Sequence, residues 1–103
     1  MIIYVDIDET ICDYPVKRDT SKPGDYSTAR PIVENIDKIN KLYDEGHQIT
    51  YYTARGALTG IDYYDLTKQQ LIDWGAKHHN LSVGEKPYWD LLIDDKAKPI
   101  EQI

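Results

Sequence analysis

Asp6-Ile7-Asp8-Glu9-Thr10 puts two carboxylates and a hydroxyl within five residues. Alone, a D-x-D-x-T arises readily by chance in an Asp-rich chain, and Asp is also a common turn residue at strand ends. Three further segments give it weight: Thr53 with Arg55, Lys86 between Gly84 and Pro87, and Asp94-Asp95 after Leu91-Leu92-Ile93. A hydroxyl donor, a point charge and a bidentate guanidinium fork are the groups that hold a phosphoryl. Crowded carboxylates repel unless a proton or a cation intervenes. Mg²⁺ takes one or two carboxylates, keeps waters and accepts a substrate phosphate. Each segment also has a plainer reading: turn aspartates, a solvated acidic pair, a strand threonine, a turn lysine, an arginine paired with a surface carboxylate. The convergence of all four carries the argument for Mg²⁺-assisted phosphate chemistry.

The elements that must position these groups follow from the pattern of apolar residues. Ile2-Ile3-Tyr4-Val5 reads as a central strand covered on both faces, with Asp6 and Asp8 at its carboxyl end. Residues 12–30, punctuated by Pro15, Pro23 and Gly24, read as a long loop or flap. Pro31 suits a first helical turn, and Ile32, Ile36, Ile39 and Leu42 follow a 3.6 period up to a stop at Gly46. Gln48 to Tyr52 reads as a second strand, ending near Thr53. Thr59-Gly60-Ile61-Asp62 resembles a capping box for a second helix running to Trp74, with Gly75 as its stop. A short strand within 76–83 and the run Leu91-Leu92-Ile93 complete the order. This pattern predicts a single α/β domain over 1–103, a three-layer Rossmann-like parallel sheet with right-handed crossovers. In such sheets ligands bind at the carboxyl ends of the strands, where the chemistry-bearing residues fall.

Composition bounds the partners. The chain has 103 residues, 41% hydrophobic and 29% charged, with a net charge of −6, and that acidity disfavours nucleic acid or an anionic membrane as a partner. No apolar run is long enough to span a bilayer, and Met1 to Asp6 lacks the basic region of a secretory signal, so the cytoplasm is the expected compartment. One cysteine excludes an internal disulfide framework, and Cys12 reads as a small buried hydrophobe. His78-His79 reads as polar surface, because adjacent strand residues point apart. Nine Tyr against no Phe predicts many half-buried rings, or rings at an interface. Between Tyr14 and Pro31, Lys17, Arg18, Lys22 and Arg30 outnumber Asp19 and Asp25, which suits either a solvated loop or one that steers anionic substrates.

Asp6-Ile7-Asp8-Glu9-Thr10, Thr53, Lys86 and Asp94-Asp95 appear in the order of the four motifs of the haloacid dehalogenase superfamily of phosphatases, and the resemblance spans nearly the whole chain. The chain looks most like small capless members. Tyr51-Tyr52-Thr53-Ala54-Arg55-Gly56, Gly84-Glu85-Lys86-Pro87 and Ile93-Asp94-Asp95-Lys96-Ala97 are similar to short capsular-polysaccharide or sugar-phosphate phosphatases. The resemblance implies a minimal, truncated core without a cap domain and a small phosphorylated substrate. It implies Asp6 as nucleophile and Asp8 as general acid and base. Thr53 and Lys86 would be the phosphate-holding pair, with Thr10 and Arg55 binding substrate. Mg²⁺ would be held by Asp6, Asp8 through its backbone carbonyl, Asp94 and Asp95. For the acid role, neighbouring carboxylates or burial should favour the protonated form of Asp8. Glu9 stands where many of these phosphatases carry Gly. The short tail after Asp95, together with the tyrosines, suggests a homo-oligomer.

Two other readings stay open. Thr53-x-Arg55 and Asp94-Asp95 also resemble a polynucleotide end phosphatase, which the net acidity disfavours. Receiver domains of signalling relays also combine carboxylates, Mg²⁺, Thr and Lys on a parallel sheet, but there the acidic pair comes first and the acceptor Asp lies mid-chain. Here the order is reversed.

Overall fold

A computed structural model of the protein describes residues 1–15, 26–57, 60–84, 91–93, 100 and 103. Its backbone is a four-stranded parallel sheet in the order β5-β4-β1-β6, built from β1 Ile2–Asp6, β4 Gln48–Thr53, β5 Asn80–Val83 and β6 Leu91–Ile93. A two-stranded antiparallel ribbon joins β2 Cys12–Asp13 to β3 Arg30–Pro31. Among the described residues the α-helices are α1 Val33–Asp44 and α2 Tyr64–Asp73. This is a small Rossmann-like α/β fold with the expected parallel strands.

The apolar strand at the N-terminus becomes the centre of the sheet. Val5 pairs with Tyr51 on one side and with Ile93 on the other. Alternation along the strands puts Ile3, Val5, Ile49, Tyr51 and Ile93 on one face, all buried, in a cluster with Ile36 and Ile39 of α1 and Leu71 of α2. The opposite face carries Tyr4 and Tyr52, both half-buried. That both helices cover the same face follows from the topology. The chain steps from β1 to β4 to β5 in one direction, and right-handed crossovers then place successive helices on one side. Asn40 of α1 ties the two helices together: its amide donates to the Gly75 carbonyl at 2.9 Å and its oxygen accepts from the Lys77 N–H at 2.8 Å.

The local boundaries depart from expectation at two helix starts. Pro31 does not open α1. It pairs with Cys12 at the edge of the ribbon, where a missing N–H costs nothing. Ile32 stays extended (φ −93°, ψ 91°), and the helix begins one residue later. The flap expected over 12–30 is therefore pinned at both ends by the ribbon, while 16–25, with Lys17, Arg18 and Lys22, lies outside the described residues. At the second helix, Thr59 of the expected capping box also lies outside the described residues. Residues 60–63 are not helical, and α2 starts at Tyr64, whose N–H donates to Asp62 Oδ1 at 2.9 Å. The loop between β4 and α2 closes on Gly56. Its φ is +84°, and a Cβ there would meet the Ile61 carbonyl oxygen at 2.0 Å, so only glycine fits. The helix stops are as expected, with left-handed Gly46 and Gly75.

Tyr51 is fully buried, and its hydroxyl has no hydrogen-bond partner among the described residues. Burial alone holds that phenol above its ordinary pKa. An unsatisfied buried hydroxyl costs more than it contributes. Tyr51→Phe should therefore preserve stability or raise it by up to about 1 kcal/mol in urea unfolding. A clear loss would mean that the hydroxyl is bonded after all.

Candidate active site

The carboxyl ends of β1 and β4 meet at Asp8. After β1 the chain makes a tight turn in which the Thr10 and Ile11 N–H groups both donate to the Ile7 carbonyl (3.2 and 3.0 Å), and the Glu9 N–H donates to the Cys12 carbonyl at 3.0 Å. The turn requires Glu9 in the left-handed region, φ +65°, the one positive φ at a non-glycine among the described residues. Asn35, in the first turns of α1, clasps the turn by donating to the Thr10 carbonyl at 2.9 Å. The result points the Asp8 carboxylate back toward the end of β4.

Five side-chain donor groups from two segments, 12–14 and 53–55, surround that carboxylate. Arg55 reaches it through Nη2 at 2.8 Å and through Nε at 3.1 and 3.3 Å, a bidentate fork. The Tyr14 hydroxyl donates to Oδ1 at 2.5 Å and the Thr53 hydroxyl to Oδ2 at 3.2 Å. The Cys12 thiol makes a weak contact at 3.6 Å. Arg55 itself is enclosed. Its side chain is 0% exposed, against 15% for Asp8. Its Nη1 donates to Thr67 Oγ1 at 3.1 Å and to Gln70 Oε1 at 2.6 Å, its Nη2 lies 3.4 Å from the Tyr14 oxygen, and the Tyr26 ring stacks under it at 4.7 Å. Tyr63, brought round by the Gly56 loop, packs edge-on against Tyr26 at 4.9 Å.

The electrostatics agree with the geometry. Burial works against the Arg55 charge, but its hydrogen bonds to Asp8 and the charge of Asp8 outweigh it and leave the guanidinium above its ordinary pKa. Burial, then the bond to Asp8, holds the Tyr14 phenol well above its ordinary value. Burial, then the charge of Asp8, pushes the Cys12 thiol up to about 12. At neutral pH all three therefore keep their protons and act as donors.

Arg55 is expected to bind substrate; here its fork faces Asp8 and its remaining N–H groups face Tyr14, Thr67 and Gln70, so it braces a carboxylate inside the protein. Asp8 is expected to act as acid and base; here side-chain donors that include a guanidinium surround its carboxylate.

Of the other expected site residues, Asp6 ends β1 beside Tyr52 and accepts the Ile7 N–H at 2.9 Å, and Thr53 joins the Asp8 network. Thr10 is 1% exposed, within the turn itself. Lys86, Asp94 and Asp95 lie outside the described residues, although β6, which precedes the acidic pair, is paired directly with β1. Among the described residues no group of three or more His, Cys, Asp or Glu could hold a metal ion. With its carboxylate committed to donors, Asp8 would serve a cation through its backbone carbonyl, the donor type that Mg²⁺ accepts. Sequence reasoning missed Tyr14, Tyr26, Thr67 and Gln70. The available signal was in α2, whose buried stripe of Thr67, Gln70 and Leu71 holds two polar residues that each need a buried partner.

No protein-family model and no curated protein matches the chain. Among solved structures it is similar to a crystal structure of a structural-genomics target from Vibrio cholerae. The match covers 85% of this chain and 72% of that chain, with a TM-score of 0.65 and 22% sequence identity. That likeness supports the α/β fold and says nothing of the chemistry.

Removing Arg55 would strand a largely buried carboxylate. Arg55→Met should cost about 3 kcal/mol in urea unfolding, and more than Asp8→Asn, which leaves a neutral acceptor in place. Equal, sub-kilocalorie effects would show that the pair is not structural. At the turn, Glu9→Gly should be tolerated, whereas Glu9→Val should lose about 1–2 kcal/mol, read as a lower thermal midpoint.

Proposed function

We propose that the chain is a Mg²⁺-dependent phosphomonoesterase of the haloacid dehalogenase type, acting on a small phosphorylated metabolite of the sugar-phosphate class. The observation that carries this reading is the meeting of Asp8 and Thr53 at the carboxyl ends of adjacent parallel strands, with Asp6 two residues from Asp8 and β6 alongside. Further support is the left-handed backbone of Glu9, at the position where many such phosphatases carry glycine.

In this reading the Asp6 carboxylate attacks phosphorus, a nucleophile that needs no base at neutral pH. The ester P–O bond breaks, and the leaving oxygen takes a proton from Asp8 in the fraction of molecules whose Asp8 carries one. Asp8, now a carboxylate held by Arg55 and Tyr14, removes a proton from water. The water oxygen attacks phosphorus, the bond to Asp6 breaks, inorganic phosphate leaves and Asp8 is again protonated. Arg55 and Tyr14 fix the carboxylate's orientation in both halves, while the single Thr53 hydroxyl proton turns to the phosphoryl group. A magnesium ion, held by Asp6, the Asp8 carbonyl, Asp94 and Asp95, would neutralise the repulsion between nucleophile and phosphate. Lys86 and Thr53 would hold the transferring group. The reaction belongs to the cytoplasm, where phosphorylated metabolites are retained. The described residues contain no helix long and apolar enough to cross a membrane.

A panel of sugar phosphates, with p-nitrophenyl phosphate as a general probe and a 3′-phosphorylated oligonucleotide as the polynucleotide alternative, tests the reading. Phosphate release should require Mg²⁺, stop with EDTA, and fall at least ~100-fold in Asp6→Asn. Turnover by Asp6→Asn equal to the parent's would remove the proposed nucleophile.

A further inference from the structure

Helix α2 stands behind Arg55, away from the reacting edge, yet it presents two polar side chains one turn apart to a fully enclosed guanidinium. Thr67 is 0% exposed and Gln70 8%. Buried polar groups on a helix's inward stripe are costly unless they are bonded. Here both accept from one atom, Nη1 of Arg55, at 3.1 and 2.6 Å. The opposite end of the Gln70 amide donates to the Tyr26 carbonyl at 2.7 Å. One end of the amide therefore meets a donor and the other an acceptor, which fixes its orientation. Tyr26 in turn supplies the ring beneath the guanidinium. Arg55 is thus held at its rear N–H groups and across its ring-facing side, which leaves Nε and Nη2 a single direction, toward Asp8.

We propose that Thr67 and Gln70 are positioning residues of this site: by gripping Nη1 of Arg55 they set the direction of its fork and so fix the Asp8 carboxylate for proton transfer. The inference rests on the phosphatase reading and deepens it, adding a helix that contributes no group to the reacting edge. A carboxylate that moves protons in both half-reactions must keep its angle to the leaving oxygen and then to water. A displacement of about 1 Å at such a group costs up to ~100-fold in rate. A fork free to swing about Nε would permit such a displacement.

The test is a double-mutant cycle on p-nitrophenyl phosphate hydrolysis at saturating Mg²⁺, with Gln70→Met, Arg55→Lys and the two together. Gln70→Met should lower kcat about 10- to 100-fold with less than a twofold change in KM, and Thr67→Val about threefold or more in the same sense. The double variant should be no slower than Arg55→Lys alone, because Gln70 acts through Arg55. Multiplicative losses, or an unchanged kcat in Gln70→Met, would overturn the proposal. Thr67→Val, close to isosteric, reads the same end of the guanidinium if Gln70→Met does not fold. A readout independent of turnover is the Arg55 Nε–H signal in a proton–nitrogen correlation spectrum. It should shift or broaden in Gln70→Met and in Thr67→Val, and an unaltered signal in both would refute the grip. If the parent hydrolyses none of the phosphate esters while this signal responds, the phosphatase reading falls and the grip on Arg55 stands.

Discussion

The Asp8–Arg55 ion pair is the constraint around which the rest of the molecule is arranged. A fully enclosed guanidinium is tolerable only when each N–H meets an acceptor and its charge has a partner. Meeting that condition draws on four regions. The turn after β1 provides the carboxylate, Tyr14 beyond the ribbon provides an oxygen, α2 provides Thr67 and Gln70, and the Tyr26 turn provides a ring face. Burying one charge thus specifies how strand ends, helix and ribbon fit together, a demand for geometry that an apolar filling would not make.

The backbone serves that pair by placing strand ends side by side. β1 lies between β4 and β6, so the turn leaving β1 is flanked by the carboxyl ends of both neighbouring strands. The conformations that the turns need are supplied locally. Gly56 permits the close return of the β4–α2 loop over the Ile61 carbonyl, which carries Tyr63 to Tyr26. Glu9 accepts a left-handed backbone so that the turn after β1 can close within a few residues. The second of these is a strained solution at the site's edge, where strain is commonly kept.

Much of the frame could be read from residue patterns because burial and backbone sterics act locally. The run Ile2-Ile3-Tyr4-Val5 has no polar face, so it had to be central. Gly46 and Gly75 end helices because the left-handed conformation is inexpensive for glycine. Thr53 was identified as a strand end from the β-formers before it. The site was legible as a set of segments but not as a set of contacts. Spacing places Arg55 after β4, yet whether its fork turns outward to an anion or inward to Asp8 depends on Gln70 and Tyr14, which are distant in sequence. Pro31 misled for a related reason: its fixed φ suits a helix start and a ribbon edge equally, and Cys12 across the ribbon decided between them.

The pairing of Val5 with Ile93 joins the beginning of the chain to a segment near the other end. Loop closure over such a separation is entropically slow, and it cannot begin until the later strand has been synthesised. On the ribosome, β1, α1 and β4 have their partners early, while one flank of β1 must wait for β6. Until then the central strand is an open edge, able to recruit foreign strands. The sooner β6 pairs, the shorter the time for which that edge stands open.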